Sequence, residues 1–309
     1  MDPIVVVGQV ARDLVLVVDQ VPQAGSSVDV SRRRELLGGK GANIAVSLAQ
    51  LGAPVAVVGV VGDDLVGEQL LAQAARDGID VSAVRRRGTC ESALMVDIVT
   101  ADGQWRYLES VPPAALLTAD DIDQSRDLLG AARTVILQLQ QPADAVLAAL
   151  DALPPGGLVI MDGVPEEEST RDRILAAASV LRLDAHEAEL LIGHPIPDEA
   201  AAREAAAWLL GHGPDLVVLA VGTDGNLVAW ASDAVLLPLV DAGPQVDTTG
   251  GGDAFVAALA WALDRGEDRV RAARLATAAA GLVVTHPGGR PALDAATVEQ
   301  WSDRVGADR

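Results

Sequence analysis

Six short aliphatic runs recur along the chain, and the stretches between them carry a helical rather than an extended pattern. The runs are "IVVVG" (4–8), "VAVVGVVG" (55–62), "TVILQL" (134–139), "LVIMD" (158–162), "SVLRLD" (179–184) and "LVVLAVG" (216–222). Each is apolar nearly throughout instead of alternating, which is the pattern of a strand covered on both faces. The segments 42–51, 67–77, 120–131, 142–152, 169–177, 187–191 and 199–211 are rich in Ala and Leu and predict helices. Strand and helix alternating in this way predict an α/β domain built on a doubly wound, mostly parallel sheet.

Two segments, 12–36 and 88–112, break that rhythm: they are more polar, extended and carry turn signals. "VPQAG" (21–25) and "TADGQ" (100–104) are hairpin turns, with Asp102-Gly103 the stronger signal. The reading is one small β-sheet from 12–36 and 88–112 outside a main domain of 1–11, 37–87 and 113–309. Trp105 and Tyr107, two apart on a predicted strand, share a face. They read as packing at the interface of this small sheet or, alternatively, as a stacking surface for a nucleoside base. The triplets Arg32-Arg33-Arg34 and Arg85-Arg86-Arg87 read as solvated edges of the small sheet. The alternative is that one of them, or Arg106, binds the phosphate of a phosphorylated substrate.

Charge narrows the partners. With 23 Lys and Arg against 44 Asp and Glu, the net charge is −21, which repels nucleic acid and anionic membranes. A phosphate-bearing ligand must then be held by helix N-termini, metal ions or a few placed cations. Cys90 is the only cysteine, so neither a disulfide framework nor a thiolate metal site is expected. His186, His194, His212 and His286 lack zinc-ligand spacing. The opening "MDPIVVVGQVARDLVLVV" has no basic n-region, and no apolar run reaches the ~18 residues of a membrane span. A cytoplasmic location is the expectation.

Two glycine-rich helix starts carry the chemistry. "GGKGANIAVSLAQLG" holds Lys40, the only lysine beside 22 arginines, and Asn43, one of two asparagines. Its small residues let a ligand approach the backbone, and the first amides of the helix are free donors. It is not a Walker A loop, because no Ser or Thr follows the Gly-Lys pair. The second start, "DTTGGGDAFVAALAWAL" (247–263), puts Gly250, Gly251 and Gly252 at the positive end of a helix, where their amides form an anion hole. Asp253 lies in that first turn, and Phe255 two residues on reads as core. A hydroxyl-bearing ligand at Lys40 and Asn43, an anion at the glycines and Asp253 between them describe phosphoryl transfer to an alcohol.

The pair "GGKGAN" and "DTTGGGDAF" resembles the two signatures of the ribokinase family of carbohydrate kinases, the PfkB family. "GQVARDL", "VPQAG", "HEAELLIG" and "VGTDG" extend the resemblance over essentially the whole chain. The resemblance implies a ribokinase-like three-layer sandwich whose small sheet closes as a lid over the sugar. It implies ATP-dependent phosphorylation of a pentose or hexose, with magnesium and, in many members, potassium. On that basis Asp253 is the general base and Gly250, Gly251 and Gly252 form the anion hole. Asp13, Gly39, Lys40, Asn43 and Gln140 line the sugar. Asp184, Thr223, Gly225 and Gly252 belong to the ATP site, and Glu187 acts near magnesium through water. The potassium ligands would be Asp247, Thr249, Val283, His286 and Gly288. In ribokinases the lid also makes the dimer, so a homodimer through the lid is the implied assembly.

Four positions depart from the ribokinase pattern: Ala11 for an asparagine, Gln140 for a glutamate, Asp184 for an asparagine and Ala292 for a serine. The first two put ribose itself in question. A nucleoside kinase and a sugar-phosphate kinase therefore stay open within the same chemistry, as does a catalytically silent sugar- and nucleotide-binding protein.

Overall fold

The computed structural model describes the chain except residues 1, 101–103, 166, 247, 248, 287–291 and 307–309. In chain order the strands are β1 (Ile4–Val7), β2 (Ala11–Val18), β3 (Val30–Gly38), β4 (Val55–Gly62), β5 (Ile79–Asp80), β6 (Val84–Arg87) and β7 (Ala93–Thr100). They continue with β8 (Trp105–Ser110), β9 (Thr134–Gln138), β10 (Leu158–Asp162), β11 (Val180–Leu183), β12 (Leu216–Val221), β13 (Gly225–Trp230) and β14 (Asp233–Leu237). The helices are α1 (Lys40–Gln50), α2 (Leu65–Arg76), α3 (Ala119–Asp123), α4 (Arg126–Ala131), α5 (Ala143–Ala152) and α6 (Glu168–Ala177). They are followed by α7 (Ala185–Ile192), α8 (Glu199–Leu210), α9 (Gly251–Asp264), α10 (Arg269–Val283) and α11 (Ala295–Ser302).

The large sheet runs β14-β13-β12-β11-β10-β9-β1-β4-β5, with β6 also on β4. Its pairings from β12 across to β4, β5 and β6 are parallel, and β13 and β14 close one edge antiparallel. Successive residues of one strand feed opposite cores. Ile4, Val6, Ile136 and Ile160 pack with α1, α2, α9, α10 and α11. Val5, Val7, Leu137 and Met161 pack with the helices from α3 to α8. This is why the strand sequences are apolar without alternation, and it makes three layers. α9 is buried nearly all round and carries Phe255, 2% exposed, in the first of these cores.

The small sheet has the order β3-β2-β7-β8. β2 and β7 run parallel, while β3 and β8 flank them antiparallel. The Asp102-Gly103 turn lies outside the described residues; below it, Thr100 donates its N–H to the Gln104 carbonyl at 2.8 Å. Around "VPQAG", the Ser26 N–H reaches the Gln23 carbonyl at 3.0 Å.

Several elements differ from the sequence reading. The helix expected over 120–131 is two, α3 and α4, because the Ser125 hydroxyl bonds back to the Asp121 carbonyl at 3.0 Å and interrupts the run. Arg85, Arg86 and Arg87 are not an edge of the small sheet. They form β6, paired with β4 of the large one. Arg87 donates to the carbonyls of Ala114 (2.7 Å) and Leu116 (2.9 Å) and pairs with Asp121, fixing the segment that leads into α3. Arg106 lies beside Asp19, Gln20 and Gln104 in a separate surface hollow.

Candidate active site

The carboxyl ends of β1, β9, β10 and β11 deliver Gln9, Gln138, Gln140, Asp162, Arg182 and Asp184 to one edge of the large sheet. In open α/β sheets this is the edge where ligands bind. Gln9, Gln138, Gln140, Arg182 and Asp184 line a cavity of about 480 Å³. The two glycine-rich helix starts supply Lys40, Asn43, Thr249, Gly250, Gly252 and Asp253 to its wall, and the small sheet supplies Trp105, Tyr107 and Glu109.

Asp253 is buried in the first turn of α9 and accepts a hydrogen bond from the Asn43 side-chain amide at 3.0 Å. Gly250 caps the helix in the left-handed region at φ 76°. Burial pushes the Asp253 carboxyl up to about 6, and repulsion from Asp162 adds to it. Lys40, the Asn43 amide and Arg182 oppose that rise. Asp162 itself is 0% exposed, and its Oδ2 has no hydrogen-bond partner.

Lys40 pairs with other carboxylates than the one Asn43 holds. Its ammonium lies 2.9 Å from Glu187 Oε1 and 3.8 Å from Asp162 Oδ2. Burial works against its charge, but Asp162, Glu187 and Asp253 outweigh burial and hold its pKa above the ordinary lysine value. Gln140 donates to the same Glu187 oxygen at 3.0 Å. Glu187 Oε2 accepts the Asp184 N–H at 2.9 Å, and Asp184 Oδ1 accepts the Glu187 N–H at 2.7 Å. That reciprocal pair is a capping box at the start of α7. Asp caps as well as Asn, so Asp184 keeps this helix start intact. Burial alone would raise the Glu187 pKa, yet Lys40 and the Asp184 N–H bring it below the usual carboxylate range.

The remaining expected residues divide. Asp13 accepts the Gly39 N–H at 3.3 Å, and its carboxyl fills the space above Gly38, where an added Cβ would lie within 1.8–2.1 Å of it. Thr223 sits in the exposed β12–β13 turn and Gly225 is buried at the start of β13; neither lines the cavity. A side chain at Gly225, whose φ is 128°, would strike the Leu237 carbonyl at 2.0 Å, so the glycine there already has a structural reason. Asp247 and Gly288 lie outside the described residues. Thr249 donates its hydroxyl to Asp97 of β7 at 3.0 Å, tying the small sheet to the glycine turn. The Val283 carbonyl accepts the His286 N–H at 3.0 Å.

Sequence reasoning missed Asp162 and Arg182. Arg182 pairs with Asp162 (3.1 Å) and approaches Glu187 (3.9 Å). A lone arginine inside the apolar run "SVLRLD" was the available signal, since a cation in a covered strand requires a partner. Opposed by burial, Asp162 and Glu187 still hold the Arg182 guanidinium above its ordinary pKa.

Comparison with known proteins places this geometry. The profile of the pfkB family carbohydrate kinases matches residues 1–296. The chain belongs to this family. The kinase is 31% identical to the ribokinase of Bacillus subtilis (strain 168) over 290 residues, which are 92% of this chain and 93% of that protein. It is 29% identical to the ribokinase of Mus musculus over 262 residues, covering 84% and 81% respectively. The solved structure of Arabidopsis thaliana ribokinase complexed with ribose and ATP superposes with a TM-score of 0.79 at 27% identity, covering 97% of the kinase and 98% of that chain. The fold is therefore ribokinase-like, with the small sheet as its lid, and the chain is a carbohydrate kinase, a phosphotransferase. Among the described residues no helix is long and apolar enough to cross a membrane.

Proposed function

We propose that the kinase transfers the γ-phosphoryl group of ATP to a hydroxyl of an uncharged pentose or hexose. The observation that carries this is Asp253: a buried carboxyl raised to about 6, in the first turn behind Gly250 to Gly252 and bonded to Asn43. Such a group is ionised at neutral pH yet a better base than an exposed aspartate.

In this reading the acceptor hydroxyl lies between Asp253 and the γ-phosphorus. A new O–P bond forms as the bond from phosphorus to the β,γ-bridging oxygen breaks. The electron pair leaves with ADP, and the hydroxyl proton passes to Asp253. The amides at the start of α9 face the equatorial oxygens, where charge spreads in transfer. The lid excludes water, so the sugar and not water receives the group.

The lining supports an uncharged acceptor. Lys40 and Arg182 are the only cations among the described residues lining the cavity, and both are already paired with Asp162 and Glu187. The lid side offers Trp105, Tyr107 and Glu109 instead. Partial burial, then Asp13, Glu109 and Asp97, push the Tyr107 hydroxyl above the ordinary tyrosine value, so it remains a neutral donor. A sugar phosphate would meet repulsion on that side, and Arg106 is on another surface.

Magnesium fits as an ion carried on the nucleotide. Among the described residues no three acidic, His or Cys groups form a cage, and both Glu187 oxygens already accept hydrogen bonds. Glu187 would hold the ion through water, and the ion would supply neutralisation of phosphate charge. The potassium reading rests on Thr249 and on the carbonyls at the negative end of α10, of which Val283 is one; rates in KCl against NaCl test it. Val30 and Leu108 are large apolar residues left exposed on the lid strands, which supports a homodimer through that sheet; light scattering tests it.

A nucleoside acceptor is the second reading, favoured by Trp105 and Tyr107 on the cavity wall at 54% and 40% exposure. ADP release with Mg-ATP and K⁺ against ribose, deoxyribose, fructose, other ketoses, sugar phosphates and nucleosides decides between them. Turnover confined to uncharged sugars supports the proposal. Preference for a nucleoside or a sugar phosphate overturns the acceptor class. Binding of ATP and sugar without turnover on any acceptor overturns catalysis.

A further inference from the structure

Arg182 has a place in the site that pairing with Asp162 does not explain. It stands beside Asp162 in the register of β10 and β11, so a short contact between the two side chains is expected of neighbouring strands. The guanidinium goes further, out over the first turn of α9. An added Cβ at Gly252 would lie 2.9 Å from its Nη2, 3.2 Å from its Nη1 and 3.3 Å from its Cζ. The Nη end of the guanidinium therefore occupies the space that a side chain at Gly252 would need, so glycine at this position makes room for the arginine as well as for an anion.

The division of its donors is informative. Nη1 donates to Asp162 Oδ1 at 3.1 Å and lies 3.9 Å from Glu187, while Nη2 is the atom nearest the Gly252 position. The guanidinium lines the same cavity wall as Gly250, Gly252 and Asp253. Asp162 and Glu187 thus fix one arm of a rigid fork and leave the other beside Gly252 in the first turn of α9. A preorganised cation needs no rearrangement when charge develops, and the Nη2 arm of the fork can donate a charge-assisted hydrogen bond to a phosphoryl oxygen.

We propose that Arg182 is a catalytic residue that contacts the transferring phosphoryl group at the Gly250–Gly252 turn and stabilises its charge between the acceptor and ADP. The inference rests on the kinase reading given above. It assigns to β11 a cationic counterpart of the amides of α9, built into the sheet itself.

The test uses the full chain with the best acceptor from the panel. Arg182→Met is expected to lower kcat by about 10²- to 10³-fold while the KM for the acceptor and the affinity for ADP change less than about threefold. Inhibition by ADP with aluminium fluoride, a planar stand-in for the group in flight, weakens by a comparable factor. Arg182→Lys keeps the charge without the fork and recovers part of kcat. The double variant Asp162→Asn with Arg182→Met removes the unpaired buried carboxylate and restores thermal stability but not kcat. Recovery of kcat in that double variant, or full kcat in Arg182→Met, would assign Arg182 to charge pairing alone and overturn the proposal. A wild type that phosphorylates no acceptor defeats the kinase reading itself, a separate result.

Discussion

The Asn43 amide donates to Asp253 Oδ2 at 3.0 Å, joining the first turn of α1 to the first turn of α9 across 210 residues of chain. Two helix starts that are far apart in sequence thereby share one carboxylate. The bond tempers how basic that carboxylate is: burial and then Asp162 raise it, and the Asn43 amide joins Lys40 in favouring the charged form.

The pH dependence follows directly. Asp253 must be ionised to accept a proton, so kcat/KM is expected to rise about tenfold per pH unit in acid and level off above an apparent pKa of about 6. Asn43→Ala removes a donor to the charged form and moves this limb to higher pH. Stability runs the other way. The folded state keeps the proton up to about 6 and the unfolded chain loses it near 3.8, so this group's contribution to stability falls as pH rises through that window. Denaturant melts of wild type and Asp253→Asn between pH 4 and pH 6, on the order of that window, check the sign: the falling component disappears in the variant.

Lys40 answers to Glu187 at 2.9 Å and Asp162 at 3.8 Å with one ammonium. Lys40→Met is expected to lower kcat/KM by about tenfold or more and to shift the acid limb upward, since a cation that favours ionised Asp253 is lost. Lys40→Arg keeps the charge and is expected to return the acid limb towards its wild-type position, while kcat/KM stays low because the bulkier planar guanidinium does not place its donors where the compact ammonium stands. An unchanged pH profile in Lys40→Met would contradict this account of its electrostatic role.

Two neighbouring arginines should behave differently. Arg87 makes two carbonyl contacts and a largely buried ion pair with Asp121. Arg87→Met should cost about 3 kcal/mol of stability with acceptor KM unchanged. Arg86 meets Asp63 with both side chains near half exposure, and Arg86→Met should cost less than about 1 kcal/mol. Chemical denaturation of the two variants side by side measures the contrast.

Thr249 links the glycine turn to the lid through Asp97. Thr249→Val removes a hydrogen bond to a charged group, about 1.5–3 kcal/mol of tethering. Hydrolysis of ATP in the absence of acceptor should then rise several-fold as water gains access. Uncoupled hydrolysis at the wild-type rate would show that the tether does not govern closure.

Much of this was legible in the sequence. The apolar runs place β1, β4, β9, β10, β11 and β12 because strands covered on both faces must be continuously hydrophobic. β13 and β14 escaped because "GNLVAW" and "DAVLL" form an antiparallel hairpin at the sheet edge, with no helix between them and the second strand largely uncovered. β6 was hidden behind three arginines whose pairing is tertiary. In the site, Asp253, Asn43 and the glycines announced themselves as helix-start motifs. The direction of Lys40 could not be read, since Glu187 and Asp162 reach it only through the fold. Arg182 was masked for the same reason: its partner sits on the adjacent strand, 20 residues earlier.

The most direct test of the central claim is steady-state turnover of Asp253→Asn beside wild type, with ATP and the best acceptor, together with acceptor binding by calorimetry. The predicted result is a loss of about 10²- to 10⁴-fold in kcat with acceptor affinity largely kept. Turnover within a few-fold of wild type would contradict the assignment of Asp253 as the base.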